Sequence, residues 1–176
     1  MQRMNQVARP LAGFILWILL PGAVLADRPL VTRTALGGNL TVLVPENLKK
    51  STDEPDTEAF VDELPGEMLV VAFERQLAIR PQDLPTLLEA TRIMYMSYAR
   101  QEFAGLRILH GETFAVVRGE LDNPDDKRHL LIARTAYQGG VLSVTYMCSK
   151  RTGLDCRERA GRILESISLT RSSAAS

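Results

Sequence analysis

The chain has 176 residues, with 21 basic and 21 acidic side chains and a mean hydropathy of −0.03. This balance argues against a nucleic-acid partner, because nucleic-acid-binding proteins usually concentrate lysine and arginine on one face. The length predicts a single domain with one sizeable core.

The first 26 residues have the pattern of a secretory signal peptide. Arg3 and Arg9 give a positive start, residues 11–20 form a short apolar stretch, and residues 24–26 (Val-Leu-Ala) supply a small-residue cleavage site. A membrane span needs about 18 or more apolar residues, so this stretch is too short for a stable anchor. We predict cleavage after Ala26, a periplasmic mature protein, and contact with the membrane only through the uncleaved leader.

The N-terminal part of the mature chain has the pattern of strands separated by turns. Residues 30–36 and 40–44 are β-rich runs on either side of a Gly-Gly-Asn turn, which predicts a hairpin. Residues 49–58 are polar and contain a proline, so we predict a mobile connection there. Residues 68–73 (Met-Leu-Val-Val-Ala-Phe) form a continuous apolar run, which indicates a central strand buried on both faces.

A long amphipathic helix is predicted next. Asp83 can cap it, Pro85 fits its first turn, and the pattern continues to about Gln101. Apolar residues recur there at steps of three and four: Leu84, Leu87, Leu88, Thr91, Met94, Tyr95 and Tyr98. Residues at this spacing more often pack in a core than bind a ligand, although Met94, Tyr95 and Tyr98 would also suit an apolar pocket under the helix.

A strand meander and a closing helix complete the predicted order of elements. The strands are expected at residues 106–117 with a turn at Gly111, at 129–137 and, after a tight hairpin loop at 138–140, at 141–147. The closing helix follows Thr152 and Asp155, which match a capping box, and residues 171–176 are expected to be a frayed tail. One side of this helix is predicted to be apolar, with residues spaced four, three and four: Cys156, Ala160, Ile163 and Ile167. This order predicts an α+β fold, an antiparallel β-sheet with helices packed on it, over residues 27–170.

Two cysteines, Cys148 and Cys156, agree with export. An even pair in an oxidising compartment predicts a disulfide, and the short loop that it closes corresponds to about 2.5 kcal/mol of stabilisation in the chain-entropy model. A redox pair would favour a two-residue spacer, and zinc would need further ligands, for which only His110 and His129 are available.

The arrangement resembles the PsbP-like fold, an α/β/α sandwich that includes the DcrB-type periplasmic proteins. The resemblance is carried by residues 40–48, a strand that ends in Pro45, by the long helix before the meander, and by the closing residues 162–169. Leu48 stands where the family usually has an aromatic residue, and the cysteine pair is an addition. The resemblance implies a binding module, since family members serve as accessory subunits of photosynthetic complexes, as a small-GTPase-binding import factor and as adaptors for secreted effectors.

The residues contain no recognisable catalytic, cofactor or metal motif. The Ser-nucleophile elbow and phosphate-binding loops are absent, and both histidines are expected at the surface. Residues 122–126 lack the alternating ligands and central glycine of a calcium loop, so they are predicted to form a turn. We therefore predict a non-enzymatic protein without cofactor or metal.

The sequence favours binding of another envelope or secreted protein, with an immunity protein against a secreted toxin as the specific hypothesis. Acidic side chains in the connection at residues 51–58 and in the turn at 122–126 could contact a basic partner, although solvated loops are the simpler interpretation. These residues are Asp53, Glu54, Asp56, Glu58, Asp122, Asp125 and Asp126. The alternative is a small-molecule or lipid carrier with a pocket under the long helix.

Overall fold

The computed structural model describes residues 28–62, 66–96, 99–121, 127–150 and 155–170. The predicted leader, Tyr98, the acidic turn at 122–126, Thr152 and the C-terminal tail lie outside these residues. Within them the elements are β1 (Leu30–Ala35), β2 (Leu40–Pro45), β3 (Lys49–Glu54), β4 (Thr57–Val61), β5 (Glu67–Glu74), α1 (Leu84–Met96), β6 (Ala99–Leu109), β7 (Glu112–Leu121), β8 (Arg128–Tyr137), β9 (Gly140–Ser149), α2 (Cys156–Ser166) and β10 (Ser168–Leu169).

The strands form two antiparallel sheets. A three-stranded sheet has the order β1-β2-β10, and a seven-stranded sheet has the order β3-β4-β5-β9-β8-β7-β6. The glycine turns predicted at residues 37–38, 111 and 139 are present, and all of these glycines have positive φ. Strands β6 to β9 follow one another as a meander, which is the predicted arrangement with one strand more.

The seven-stranded sheet is covered on both faces. Val141 packs with Leu84 and Leu87 of α1, whereas its neighbour Leu142 packs in the core that contains α2 and β2. Successive residues of a strand point to opposite faces, so α1 lies on one face and α2 with the three-stranded sheet lies on the other. The predicted α+β architecture, an α/β/α sandwich, is confirmed.

The larger hydrophobic core lies on the α2 side of the seven-stranded sheet, between this sheet, α2 and the three-stranded sheet. Leu40, Val42 and Val44 alternate inward along β2 and are fully buried. The predicted apolar face of the closing helix is confirmed, because Cys156, Ala160, Ile163 and Ile167 are all buried in this core. At about 25 cal/mol per Å² of buried apolar surface, this core is the main source of stability.

The predicted disulfide is present between the end of β9 and the first residue of α2. Cys148 and Cys156 have Cα atoms 5.6 Å apart, and both residues are buried. Asp155 caps α2, since its carboxylate accepts hydrogen bonds from the backbone N–H groups of Arg157 and Glu158. The disulfide therefore holds the first residue of α2 at the end of β9.

The predicted mobile connection at residues 49–58 is wrong, because these residues form most of the β3–β4 hairpin. Lys49 pairs with Val61 and Glu54 with Thr57, around a turn at residues 55–56. The strand β3 is polar because it is the outer strand of the seven-stranded sheet, where charged side chains remain in solvent.

The predicted helix is also shorter than expected. It ends at Met96, and residues 100 and 101 belong to β6, where they pair with β7. Leu84, Leu87 and Thr91 are buried as predicted, but Met94 is 57% exposed. The pattern overshoots because its last member, Tyr98, immediately precedes β6 in the sequence, so the apolar spacing alone does not mark the end of the helix. Within the described residues, no helix has the length and apolarity to cross a membrane.

The strand at 67–74 has the predicted central position but is fully buried on one face only. Leu69 and Val71 are completely buried, whereas Met68, Val70 and Ala72 on the opposite face are half-buried. The reason is that α1 packs mainly across β6, β7 and β8 and leaves this part of the sheet less covered.

Candidate functional site

A cleft of about 610 Å³ lies between β1 and the β3–β4 hairpin. Its base contains the buried side chains of Leu48 and Phe60, and its walls are polar. The lining residues are Thr32, Arg33, Thr34, Glu46, Leu48, Lys49, Lys50, Glu58 and Phe60. The cleft is about twice as large as a second groove of about 290 Å³ elsewhere on the protein, and a strand edge forms one of its walls.

That strand edge belongs to β1, the outer strand of the three-stranded sheet. On one side β1 pairs with β2, and in the described part of the chain no strand pairs with its other side. Thr32, Arg33 and Thr34 are exposed in succession along it. A strand edge of this kind presents backbone N–H and C=O groups to which an extended polypeptide can add.

Glu58 connects the hairpin to the three-stranded sheet inside the cleft. Its carboxylate accepts a hydrogen bond of 2.7 Å from the backbone N–H of Leu36 and lies 3.4 Å from the Lys50 ammonium. The side chain of Glu58 is only 12% exposed. Glu58 is thus a structural contact between the two sheets rather than a freely presented acidic group.

Of the other predicted partner-binding residues, the structure describes the side chains of Asp56 and Glu54. Asp56 forms a bidentate ion pair with Arg75 at 2.8–3.1 Å, and this hydrogen bonding lowers the pKa of its carboxyl below the usual value. Glu54 is exposed at the end of β3, and Asp53 is one residue before it. The three acidic residues predicted at 122–126 lie outside the described residues.

The space between the first half of α1 and the sheet is filled. Leu84 and Leu87 pack on Val141, and beside them Arg134 donates hydrogen bonds to Ser143, Thr91 and Glu74 at 2.8–3.3 Å. No residue of α1 lines the cleft or either of two smaller cavities, of about 290 and 200 Å³, among the described residues. The pocket predicted around Met94, Tyr95 and Tyr98 belongs to the other end of the helix, and Tyr98 lies outside the described residues.

The prediction that His129 lies at the surface is wrong, since only 1% of it is exposed. Its side chain points into a group with Glu102 and Glu120, whose ligand atoms lie within 4.8 Å of one another on three neighbouring strands. Burial lowers the pKa of His129 below the ordinary value. Arg157 pairs with Glu102 and Lys150 with Glu120, so the two carboxylates are already neutralised in an ion-pair network.

His110, the other histidine, is exposed as predicted. Its Nε2 lies 2.9 Å from the backbone oxygen of Glu165, at the turn between β6 and β7. The two histidines lie on opposite ends of β7, so they do not form a joint site. 

A buried ion pair, which the sequence analysis did not identify, lies under the N-terminal segment. Arg159 of α2 and Glu67 of β5 are in contact at 3.0 Å, and the Tyr146 hydroxyl donates a hydrogen bond of 2.6 Å to the same carboxylate oxygen. Arg159 also donates to the backbone oxygen of Arg28. Burial and then the charge of Glu67 raise the pKa of Tyr146, which keeps its hydroxyl protonated.

Apart from Glu58, the cleft residues were missed by the sequence analysis, although one signal was available. Thr32, Arg33 and Thr34 are three successive polar residues in a strand, which breaks the alternation of a strand with one buried face. Such a break is typical of an edge that is open to solvent. The position of β3 beside it is a tertiary relation that no local pattern reports.

Comparisons with known proteins show the fold. No family model and no curated protein matches the sequence. Among solved structures, the Ran-binding protein Mog1p from Saccharomyces cerevisiae matches with a TM-score of 0.53 and 11% identity, over 81% of this chain and 96% of that one. The cyanobacterial PsbP protein (CyanoP) from Synechocystis sp. PCC 6803 matches with a TM-score of 0.55 and 14% identity, over 81% and 94%. The chain has the PsbP-like fold, as the resemblance predicted.

Proposed function

We propose that this protein is an exported, periplasmic protein-binding module that acts without catalysis. As its specific role we propose that of an immunity protein, which binds a secreted bacterial toxin and neutralises it. The proposal needs no cofactor, because the binding surface is made of backbone edges and side chains alone.

The observation that carries the proposal is the cleft beside β1. An extended segment of a partner can pair with the outer edge of β1 while its side chains contact the floor formed by β3 and β4. Backbone hydrogen bonds would provide affinity, and Arg33 and Lys49 on the two sides would select a segment with acidic side chains. This differs from the earlier expectation that acidic residues of this chain contact a basic partner.

The fold comparison supports the same class of function. Mog1p is described as a Ran-binding protein, so the PsbP-like fold is used elsewhere to bind another protein. A fold hosts many functions, and the comparison therefore supports the binding class without selecting the partner. The buried disulfide is consistent with an oxidising compartment such as the periplasm.

Site-directed photo-crosslinking tests the proposal. A photoreactive phenylalanine analogue replaces Arg33 in the cleft, and in a matched control it replaces Ile93, which is 62% exposed on α1 in the opposite layer. We expect the cleft position, in cells of the source bacterium, to give one stoichiometric adduct with an exported protein that mass spectrometry identifies. Absence of an adduct, or the same adducts from both positions, would contradict binding in the cleft.

The immunity role has a separate test. The captured protein is expressed in the periplasm of a sensitive host, together with the wild type, with Arg33→Glu or with the control Arg92→Glu. We expect the captured protein to stop growth alone, and the wild type and the control to restore growth. Arg33→Glu should restore growth poorly, because it reverses a charge in the cleft. A captured protein without any toxic effect would refute the immunity role and leave the binding function standing.

A further inference from the structure

A second groove, of about 290 Å³, lies between the edge strand β6 and the helix α2. It is at the opposite edge of the seven-stranded sheet from the cleft, because β3 and β6 are the two outer strands. Its lining includes two arginines, an aromatic ring and several aliphatic side chains: Phe103, Arg107, Ile108, Leu109, Arg118, Leu164 and Glu165, with Gly161. The groove has no place in the function proposed above.

Two arginines converge on one ring in this groove. The guanidinium carbon of Arg107 lies 4.7 Å from the centroid of Phe103, and that of Arg118 lies 5.6 Å from it. Within the described residues, neither guanidinium forms a hydrogen bond or an ion pair, and the Nε of Arg118 is buried without a partner. Buried polar groups in folded proteins are nearly always hydrogen-bonded, so this Nε is a donor that an anion entering the groove can use.

Gly161 keeps the groove open. It lies in the middle of α2, where glycine is less favourable than alanine. A Cβ atom at this position would meet nothing within 4 Å, so no close packing against another element requires glycine there. A larger side chain would instead project into the space beside Arg118.

We propose that this groove binds a small organic anion, a monocarboxylate carried on a short alkyl or aromatic body. The carboxylate oxygens accept hydrogen bonds from Arg118 and Arg107, whose planar guanidinium groups suit a bidentate acceptor. The apolar body lies against Leu109 and Leu164. Glu165 at the same groove adds one negative charge, which disfavours a dianion such as phosphate relative to a monocarboxylate.

The volume agrees with this ligand class. Small-molecule sites usually have about 300–1,000 Å³, so a groove of about 290 Å³ suits a ligand at the small end of that range. The mixed lining, with charge at one part and aliphatic side chains at another, is typical of sites that orient an amphipathic ligand.

Calorimetric titration of the mature, disulfide-bonded protein at constant ionic strength tests the proposal. The probes are octanoate, benzoate, acetate and inorganic phosphate. We expect saturable binding of octanoate or benzoate with one site per chain, and at least about tenfold weaker binding of acetate and phosphate. Equal binding of all four probes would mean that the groove attracts charge only, and no saturable binding would mean that it is not a ligand site. Both results overturn the proposal.

Two variants and one control locate the site. Arg118→Gln removes a donor and Gly161→Leu fills the groove, so each should weaken octanoate binding by at least about tenfold. The control Arg92→Gln, on α1 in the other layer, should change the affinity less than twofold. Thermal unfolding confirms that all three variants are folded. Unchanged affinity in folded Gly161→Leu would overturn the assignment to this groove, whatever the crosslinking experiment at Arg33 shows.

Discussion

The buried pair of Glu67 and Arg159 allows a quantitative test of what stabilises the fold. Their side chains are 0% and 2% exposed, and they are in contact at 3.0 Å. In Arg159→Met, the carboxylate of Glu67 remains buried with the Tyr146 hydroxyl as its close donor, since the Arg28 guanidinium is 4.0 Å away. Removing one partner of a buried ion pair costs about 3–5 kcal/mol, so we expect a loss of that size.

A double variant separates the effect of an unpaired buried charge on stability from the effect of lost packing. In Glu67→Gln/Arg159→Met no charge remains at the pair, and the amide oxygen can still accept the hydrogen bond from Tyr146. We expect this variant to be about 2 kcal/mol more stable than Arg159→Met alone, because buried pairs are replaced by neutral groups at little cost.

Urea unfolding of residues 27–176 at pH 7, followed by circular dichroism, measures these differences. The denaturant slope should stay the same, so that the shift in midpoint reports stability alone. A loss below about 1 kcal/mol in Arg159→Met, or a double variant no more stable than that single variant, would refute the view that Glu67 is held as a buried carboxylate by Arg159.

Three further predictions concern single features. Replacing Cys148 and Cys156 by serine should lower the free energy of unfolding by about 2–3 kcal/mol in urea titrations, and equal stability of the reduced and oxidised wild type would contradict this. Burial lowers the pKa of His129, so the unfolded chain binds a proton there more readily than the folded protein does, and stability should fall as the pH drops below the pKa of the unfolded state. His129→Gln should flatten this pH dependence in thermal melts between pH 5 and 7.5. An unchanged profile in this variant would count against the role of His129. Gly119→Ala places a Cβ atom 2.6 Å from a backbone oxygen of β6 and should lower the free energy of unfolding by about 1–3 kcal/mol. Gly161→Ala places a Cβ atom with nothing within 4 Å and should raise the free energy of unfolding by up to about 1 kcal/mol. Similar melting temperatures for the two variants would disprove the packing argument.

Local patterns were sufficient for much of the fold. The glycine turns located the hairpins, the spacing of Cys156, Ala160, Ile163 and Ile167 gave the buried face of α2, and the cysteine pair gave the disulfide. These features depend on residues close in sequence. Their geometry is therefore readable without knowledge of the tertiary structure.

The predictions that were wrong have a different physical origin. Residues 49–54 form a strand although they are polar, because the neighbouring strand β4 supplies the pairing and solvent receives the side chains. His129 is buried although Lys127 is exposed, because Lys127 precedes β8, whereas His129 lies within it, between Glu120 of β7 and Cys148 of β9.

For a related reason, neither the cleft beside β1 nor the groove between β6 and α2 could be predicted from the sequence. The cleft requires β1 to lie beside β3, and the groove requires Arg107 and Arg118 on neighbouring strands to face Gly161, which is more than forty residues further along the chain. Contacts between residues so far apart leave no periodic signal in a single sequence.

The pairing of β10 with β2 has a consequence for biogenesis. Ser168 and Leu169 pair with Thr41 and Leu40, and the backbone N–H of Thr170 donates to Asn39. The smaller sheet thus joins the first two strands of the described residues to the last one, so it cannot close until Ser168 and Leu169 have been synthesised. Until then the edge of β2 that receives β10 has no partner strand, although the strands of the larger sheet have all been made.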